Sequence, residues 1–396
     1  MFTWEDNFRS KRLDRRHLSS LAAIMSEVRN ATPQLAYKSG LSREGFCLWQ
    51  QQVKVKLREL MQFPAWTVQP EPVCLSTEPR DGYRLEKWEF YPDSFSAVPV
   101  LMLIPEEASA NHPVPGVLCF PGSAHSKELL AGEAGFSHPN CSSRRGFPER
   151  NAQALHIVRA GMVAVAFDNP GTAELAEFNP PDKETQWGTR EALVNGLMNF
   201  GYNYLGWSVF QKLRFLEWFR ELPYVDSSRL GCCGHSLGSE VEMVLGLLCD
   251  EIKVMVHNDF LCDPQVRYAA VTNLEKITNG GIWHYVPGFW RWFGFSDLLA
   301  AAAPKFLTIN EGGADEFTGK VRDAYQVMGA PERFQVVYYP KFSEEASRKN
   351  RDAIVPRENL SQSEFYEDYS YVDVPDHSFR PEPSLRWLKK GFGMLE

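Results

Sequence analysis

The sequence is poor in the features that would place it at a membrane, on nucleic acid or around a metal. No apolar run is long enough to span a bilayer. The N-terminus, Met1-Phe-Thr-Trp-Glu-Asp-Asn-Phe8, lacks the charged-then-apolar shape of a secretory leader, which reads as a cytoplasmic protein, or as an exported one whose leader has been removed. Basic residues are outnumbered, 42 Lys and Arg against 50 Asp and Glu, and the net charge of −8 argues against a nucleic-acid partner. The pair Arg144-Arg145 is isolated and reads as solvated loop. There is no His-Glu-x-x-His, no paired Cys-x-x-Cys and no His/Asp cluster of ligand spacing, so no metal is expected. No glycine loop ends in Gly-Lys-Ser/Thr, and Gly231-Cys-Cys-Gly-His-Ser236 misses the dinucleotide spacing, so no cofactor is expected either. The eight cysteines (47, 74, 119, 141, 232, 233, 249 and 262) are scattered and form no disulfide framework. Cys119, Cys232 and Cys233 fall in apolar runs, where cysteine acts as a small hydrophobe, and adjacent Cys232-Cys233 would point to opposite faces of a strand. A reducing compartment is the simpler inference. Internal repeats and low-complexity tracts are absent.

What remains is an ordinary globular composition, 44% hydrophobic and 23% charged, on a chain of 396 residues that can bury a large core. Residues 1–68 read as a helical N-terminal extension. One helix is expected over Arg15 to Arg29, with Leu21, Ile24 and Val28 inward. A second starts from an N-cap at Ser42 and presents Phe46, Trp49, Val53, Leu57 and Leu60 on one face. From residue 69 onward the chain reads as one α/β domain. Val73–Ser76, Tyr83–Tyr91 and Val98–Ile104 form an antiparallel lead-in. Strands at Val114–Phe120, Met162–Phe167, Ile252–His257, Lys305–Asn310 and Phe334–Tyr339 then alternate with helices at Ala152–Arg159, Tyr204–Glu221 and Pro383–Lys390. Such alternation predicts a mostly parallel central sheet with helices on both faces. An aromatic stretch, Trp283 to Phe295, either packs or offers stacking surface to a ligand. Lys341 to Ser370 reads as a long surface loop.

The chain is organised around Arg229 to Glu240. An apolar strand from Leu230 runs into Gly234-His-Ser-Leu-Gly238, and an apolar helix (Val241 to Leu248) follows with only the turn between them. In such a nucleophile elbow the serine sits on a strained strand-to-helix turn and the glycines admit neighbouring backbone. Ser236 is therefore the expected nucleophile, with the N-terminus of the helix behind it favouring a developing anion.

A serine hydroxyl needs a base, normally a histidine oriented by a carboxylate, and on this fold the order is serine, acid, histidine. His257, His284 and His377 follow Ser236. His257 ends the strand directly after the elbow helix, and His284 lies in the aromatic stretch. His377, in Val374-Pro-Asp-His-Ser-Phe379, follows the last expected strand and is the expected base. The strand at Lys305 runs into Glu311-Gly-Gly-Ala-Asp-Glu316, where Asp315 is the expected acid. Glu311 and Glu316 are close rivals, and Asp259 is the outside candidate. The oxyanion needs two amide donors. One is expected from Leu237 and the other from Ser123 in Pro121-Gly-Ser-Ala124, with Ala124 as the neighbouring choice.

These segments, with Gln153-Ala-Leu-His-Ile-Val-Arg-Ala-Gly161, Ala166-Phe-Asp-Asn-Pro-Gly171, Asn258-Asp-Phe-Leu-Cys262, Ala303-Pro-Lys-Phe-Leu307 and Asp376-His-Ser-Phe379, carry a resemblance. From about residue 70 the chain resembles the bacterial α/β-hydrolases of the dienelactone-hydrolase-like and acetyl xylan esterase-like branch with a helical N-terminal extension. The resemblance implies an α/β-hydrolase fold and a cofactor-free Ser/Asp/His hydrolase, with Ser236, Asp315 and His377 at the matching positions. It implies small-molecule or saccharide esters as substrates, acetyl groups on plant polysaccharide sugars among them. One departure is Ser123-Ala124, where related chains often carry a second glycine or a histidine. A carbon–carbon bond or lactone hydrolase with the same triad, acting on a small aromatic or diketone substrate, is the alternative. A non-catalytic scaffold on the same fold is a third reading. Self-association into a homo-oligomer is left open.

Overall fold

The computed structural model describes residues 10–14, 16–65, 68–133, 148–176, 183–271 and 281–395. Arg144-Arg145 lies outside them. The helices and strands that position the site are α1 (Ser20–Asn30), α2 (Arg43–Met61), β1 (Val73–Arg80), β2 (Tyr83–Phe90), β3 (Val98–Pro105), β4 (Val114–Phe120), α3 (Gln153–Val158), β5 (Val163–Phe167), α4 (Lys183–Asn199), α5 (Tyr204–Phe219), β6 (Val225–His235), α6 (Leu237–Leu248), β7 (Ile252–Asn258), α7 (Pro264–Ala270), α8 (Phe295–Ala301), β8 (Phe306–Ile309), α9 (Asp315–Val327), β9 (Phe334–Val336) and α10 (Pro381–Gly391).

The nine strands form one sheet in the order β1-β2-β3-β5-β4-β6-β7-β8-β9. β1 to β3 form an antiparallel meander that meets β5 antiparallel, and every pairing from β5 to β9 is parallel. This is the α/β-hydrolase architecture. The chain steps from β4 outward to β5 and then returns to β6 on β4's other side, so the carboxyl end of β4 is a switch point, where open α/β sheets bind ligands. The register aligns the strand ends there: Phe120 pairs with Gly234, Gly234 with His257, and His257 with Ile309. Residues one or two positions beyond that row emerge side by side.

β4 and β5 are buried along their whole length, as their near-continuous apolar sequences require in a sheet covered on both faces. α2 is capped by Ser42, whose Oγ accepts from Gly45 N–H, and buries Phe46, Trp49, Val53, Leu57 and Met61 in the main core beside α5, α6 and α8. α1 departs from the expected pattern. Met25 is its buried residue, and Ile24 is exposed. Helices α4, α7, α8 and α9 were not anticipated. The aromatic stretch mostly packs, with Trp283, Phe289 and Phe293 buried. Residues 341–370 are not a loose loop: Phe342, Val355 and Phe365 are buried, and Glu364–Ser370 form a π-helix.

Candidate active site

Ser236 occupies the turn between β6 and α6 at φ 52° and ψ −121°. For a residue with a Cβ this conformation is strained, and it persists because the flanking packing leaves no alternative. A Cβ on Gly234 would come within 2.3 Å of the Gly238 carbonyl oxygen, and one on Gly238 within 2.3 Å of the Phe120 carbonyl oxygen. The two glycines are thus required by backbone crossing on both sides of the serine. Ser236 N–H donates to the Asn258 carbonyl at 3.2 Å, tying the turn to the end of β7. Leu237, the first residue of α6, is buried, and its N–H belongs to the first helical turn, which has no intrahelical acceptor.

His377 lies on the loop before α10. Its Nδ1 is 2.5 Å from Glu311 Oε2, and its ring is 4.7 Å, centroid to centroid, from that of His235. Glu311 follows β8 by two residues and is fully buried. Its carboxylate accepts from four donors: Asn258 Nδ2 (3.2 Å) and Ser378 N–H (3.1 Å) on Oε1, Tyr339 Oη (2.8 Å) and His377 Nδ1 on Oε2. Burial by itself would lower the pKa of His377. The charge and hydrogen bond of Glu311, with the charge of Asp259, outweigh it and raise the ring to about 9. The surrounding imidazoles move the other way. Burial holds His235 well below its ordinary value, and burial with the nearby charge of His377 takes His125 down to about 4. Two neutral rings therefore sit beside the chargeable one, His125 stacked on His235 at 5.3 Å.

The structure does not bring Asp315, the expected acid, into hydrogen bonding with His377. Asp315 opens α9, six residues beyond the aligned strand end, and its carboxylate accepts from Asp352 N–H (3.2 Å) and Tyr371 Oη (3.4 Å). The turn Gly312-Gly313 carries the chain away from the sheet edge first, so the carboxylate that meets His377 is Glu311. Glu316 is ion-paired to Arg357. Asp259 caps its own loop through Phe260 N–H and contributes charge near His377. Of the other histidines, His257 is buried against Glu242 (3.0 Å), and His284 pairs with Glu240 (2.7 Å) one turn into α6. His284 also lines a cavity of about 310 Å³ together with Ile24, Tyr285, Phe289 and Trp290.

Ser123 lies in a turn closed by His125 N–H donating to the Gly122 carbonyl (3.1 Å), against the imidazole of His235. Two polar residues missed by the sequence reading hold this turn, Asn169 and Arg190, and the Lys127–Asp168 ion pair (2.8 Å) lies just beyond it. Asn258 and Tyr339 were missed as partners of Glu311. Asn258 and Asn169 stand in the segments Asn258-Asp-Phe-Leu-Cys262 and Ala166-Phe-Asp-Asn-Pro-Gly171, Asn258 as the last residue of β7 and Asn169 two residues past β5; Arg190 had no such signal. His235, Glu311 and His377 also bring ligand-capable atoms within 4.8 Å of one another, a set that the ring-to-carboxylate hydrogen bond already uses. Among the described residues, no helix is long and apolar enough to cross a membrane.

Solved structures share this architecture. A Bacteroides fragilis protein provisionally named an acetyl xylan esterase is 35% identical and superposes with a TM-score of 0.87, over 98% of this chain and 99% of that one. A glucuronoyl esterase from Solibacter usitatus, at 13% identity and TM-score 0.57 over 92% of this chain and 98% of that one, shares the fold. The Bacillus subtilis protein YtaP, provisionally named a hydrolase, is 26% identical over 158 residues, 37% of this chain and 50% of YtaP. The chain thus spans about half the length of that curated relative. With its strand-end serine turn and its match to the family's model over residues 4–390, the chain belongs to the Abhydrolase family.

Proposed function

We propose that the protein is a serine carboxylic-ester hydrolase that works through an acyl-enzyme and removes acetyl groups from saccharide esters. The observation that carries the reading is the buried Glu311 carboxylate on Nδ1 of His377 beside the strained Ser236 turn. With Nδ1 committed, Nε2 is the ring atom left to act as base. Ser236 Oγ attacks the ester carbonyl carbon while its proton passes to His377 Nε2, and Glu311 stabilises the imidazolium. The Leu237 and Ser123 amides receive the oxyanion, the alcohol leaves with the proton from Nε2, and water repeats the sequence to release acetate. Saccharide acetates are the substrate class suggested by the Bacteroides fragilis relative. No observation favours carbon–carbon bond hydrolysis.

The test uses acetylated xylo-oligosaccharides and 4-nitrophenyl acetate with the wild type and Ser236→Ala. Acetate release from both that the substitution abolishes is expected. Release from neither, or release that survives the substitution, would overturn the reading.

A further inference from the structure

The turn that carries Ser123 is held by side chains that all grip its carbonyl oxygens. Asn169 Nδ2, at the end of β5, donates to the carbonyls of Pro121 (3.2 Å) and Gly122 (3.0 Å). Arg190 Nη2, on α4, donates to the carbonyl of Ser123 (2.6 Å). Asn169 is 2% exposed and Arg190 fully buried, and the guanidinium lies 4.7 Å from the Trp283 ring, so neither side chain has room to swing away. Beyond the turn, Asp168 binds both N–H (2.8 Å) and Nζ (2.8 Å) of Lys127 and closes the segment at its far end.

A trans peptide is planar, with its C=O and the following N–H pointing in opposite directions. Fixing the carbonyls of Pro121, Gly122 and Ser123 therefore fixes the directions of the Gly122, Ser123 and Ala124 amides, away from Asn169 and Arg190. Among the described residues none of these three amides donates to a protein acceptor. The turn lies against the chain on both sides of Ser236: Gly122 packs on the His235 ring, and the Pro121 carbonyl is 2.9 Å from where a Cβ of Gly238 would stand. From this geometry we infer that Asn169 and Arg190 are positioning residues that keep the oxyanion-binding amides of the 122–124 turn aimed at the reacting carbonyl. Arg190 also sets a buried positive charge one peptide behind the developing oxyanion. This inference rests on the serine-hydrolase reading above. It accounts for the sequence departure at Ser123-Ala124, because side chains from two distant segments orient a turn that lacks a second glycine.

The test compares Asn169→Leu, Asn169→Ser, Arg190→Met and Arg190→Lys with the wild type, each first checked for a cooperative thermal transition. Three readouts follow: kcat and KM on 4-nitrophenyl acetate, binding of an alkylboronic acid that forms a tetrahedral anion on the serine, and the low-field NMR proton between His377 and Glu311. Losing an oxyanion donor costs about 10²–10³ in kcat, so misaiming one should cost about 10- to 100-fold. Asn169→Leu and Arg190→Met should lower kcat by that factor with KM within about threefold. Boronate affinity should fall in proportion while the low-field proton stays. Arg190→Lys, which keeps the charge and a donor, should retain at least about three times the rate of Arg190→Met. The inference is overturned if folded variants keep kcat within about threefold of the wild type. It is equally overturned if KM rises at constant kcat, if the low-field proton disappears with the rate, or if no variant at either position folds. Activity surviving Ser236→Ala would instead sink the underlying reading, whatever the turn variants do.

Discussion

Replacing Glu311 by Gln tests the acid directly, because the substitution preserves shape and removes only charge and one acceptor. The carboxylate serves four donors, and an amide has one oxygen for them. If the amide nitrogen faces His377, the ring must present a lone pair at Nδ1 and carry its proton on Nε2, the atom needed to receive the serine proton. The wrong tautomer in a serine triad costs about 10⁴ in kcat, or about 5.5 kcal/mol. If the nitrogen turns the other way, it confronts the Ser378 and Asn258 donors, and the ring keeps its tautomer but loses the stabilising charge. Glu311→Gln should therefore lower kcat by about 10³- to 10⁴-fold, measured as initial rates on 4-nitrophenyl acetate over a full pH range. Asp315→Asn disturbs only contacts with Asp352 and Tyr371 and should stay within about threefold of the wild type. A Glu311→Gln enzyme retaining more than a tenth of the rate, or an Asp315→Asn enzyme losing most of it, would refute the reasoning.

Three further outcomes follow from the same contacts. The folded pKa of His377, about 9, lies above its ordinary 6.5, so the protonated ring is the favoured form and a base must be neutral: kcat/KM should climb as pH rises through about 9, and a profile already flat from pH ~6.5 would contradict this. By the same sign, the ring's contribution to stability is complete below 6.5 and is lost as pH rises through about 9. Gly238→Ala should destabilise the fold by about 2–3 kcal/mol in urea titration, since its Cβ would meet the Phe120 carbonyl at 2.3 Å; an unchanged midpoint would show that the crossing is looser than described. Lys127→Met should cost about 3–5 kcal/mol, because it takes the buried counter-charge from the fully buried Asp168 carboxylate and leaves it the Lys127 backbone N–H, and a loss below about 1 kcal/mol would mean that the pair contributes little.

Much of the architecture was legible because it is local. Strands β2 to β5 and β7, together with helices α2 and α5, follow from period and apolar content, and their bounds agree with expectation to within two or three residues. α4 was missed because Lys183 to Asn199 has a weak apolar stripe and two glycines within its span. On α1, the inward set Leu21, Ile24 and Val28 gave way to Met25, since which face of a short helix is covered depends on the element it meets.

What the sequence by itself determined is the strand-turn-helix around Ser236, the succession of parallel strands and the presence of a histidine past the last of them, all consequences of short-range spacing. Only the tertiary structure decided which carboxylate meets that histidine. Glu311 and Asp315 stand four residues apart across Gly312-Gly313, and the choice turns on where β8 stops relative to β6 and β7. Cross-strand register is a property of pairing between distant segments. The same holds for Asn169 and Arg190, which reach the 122–124 turn from more than forty residues away along the chain and become its partners only when the sheet closes.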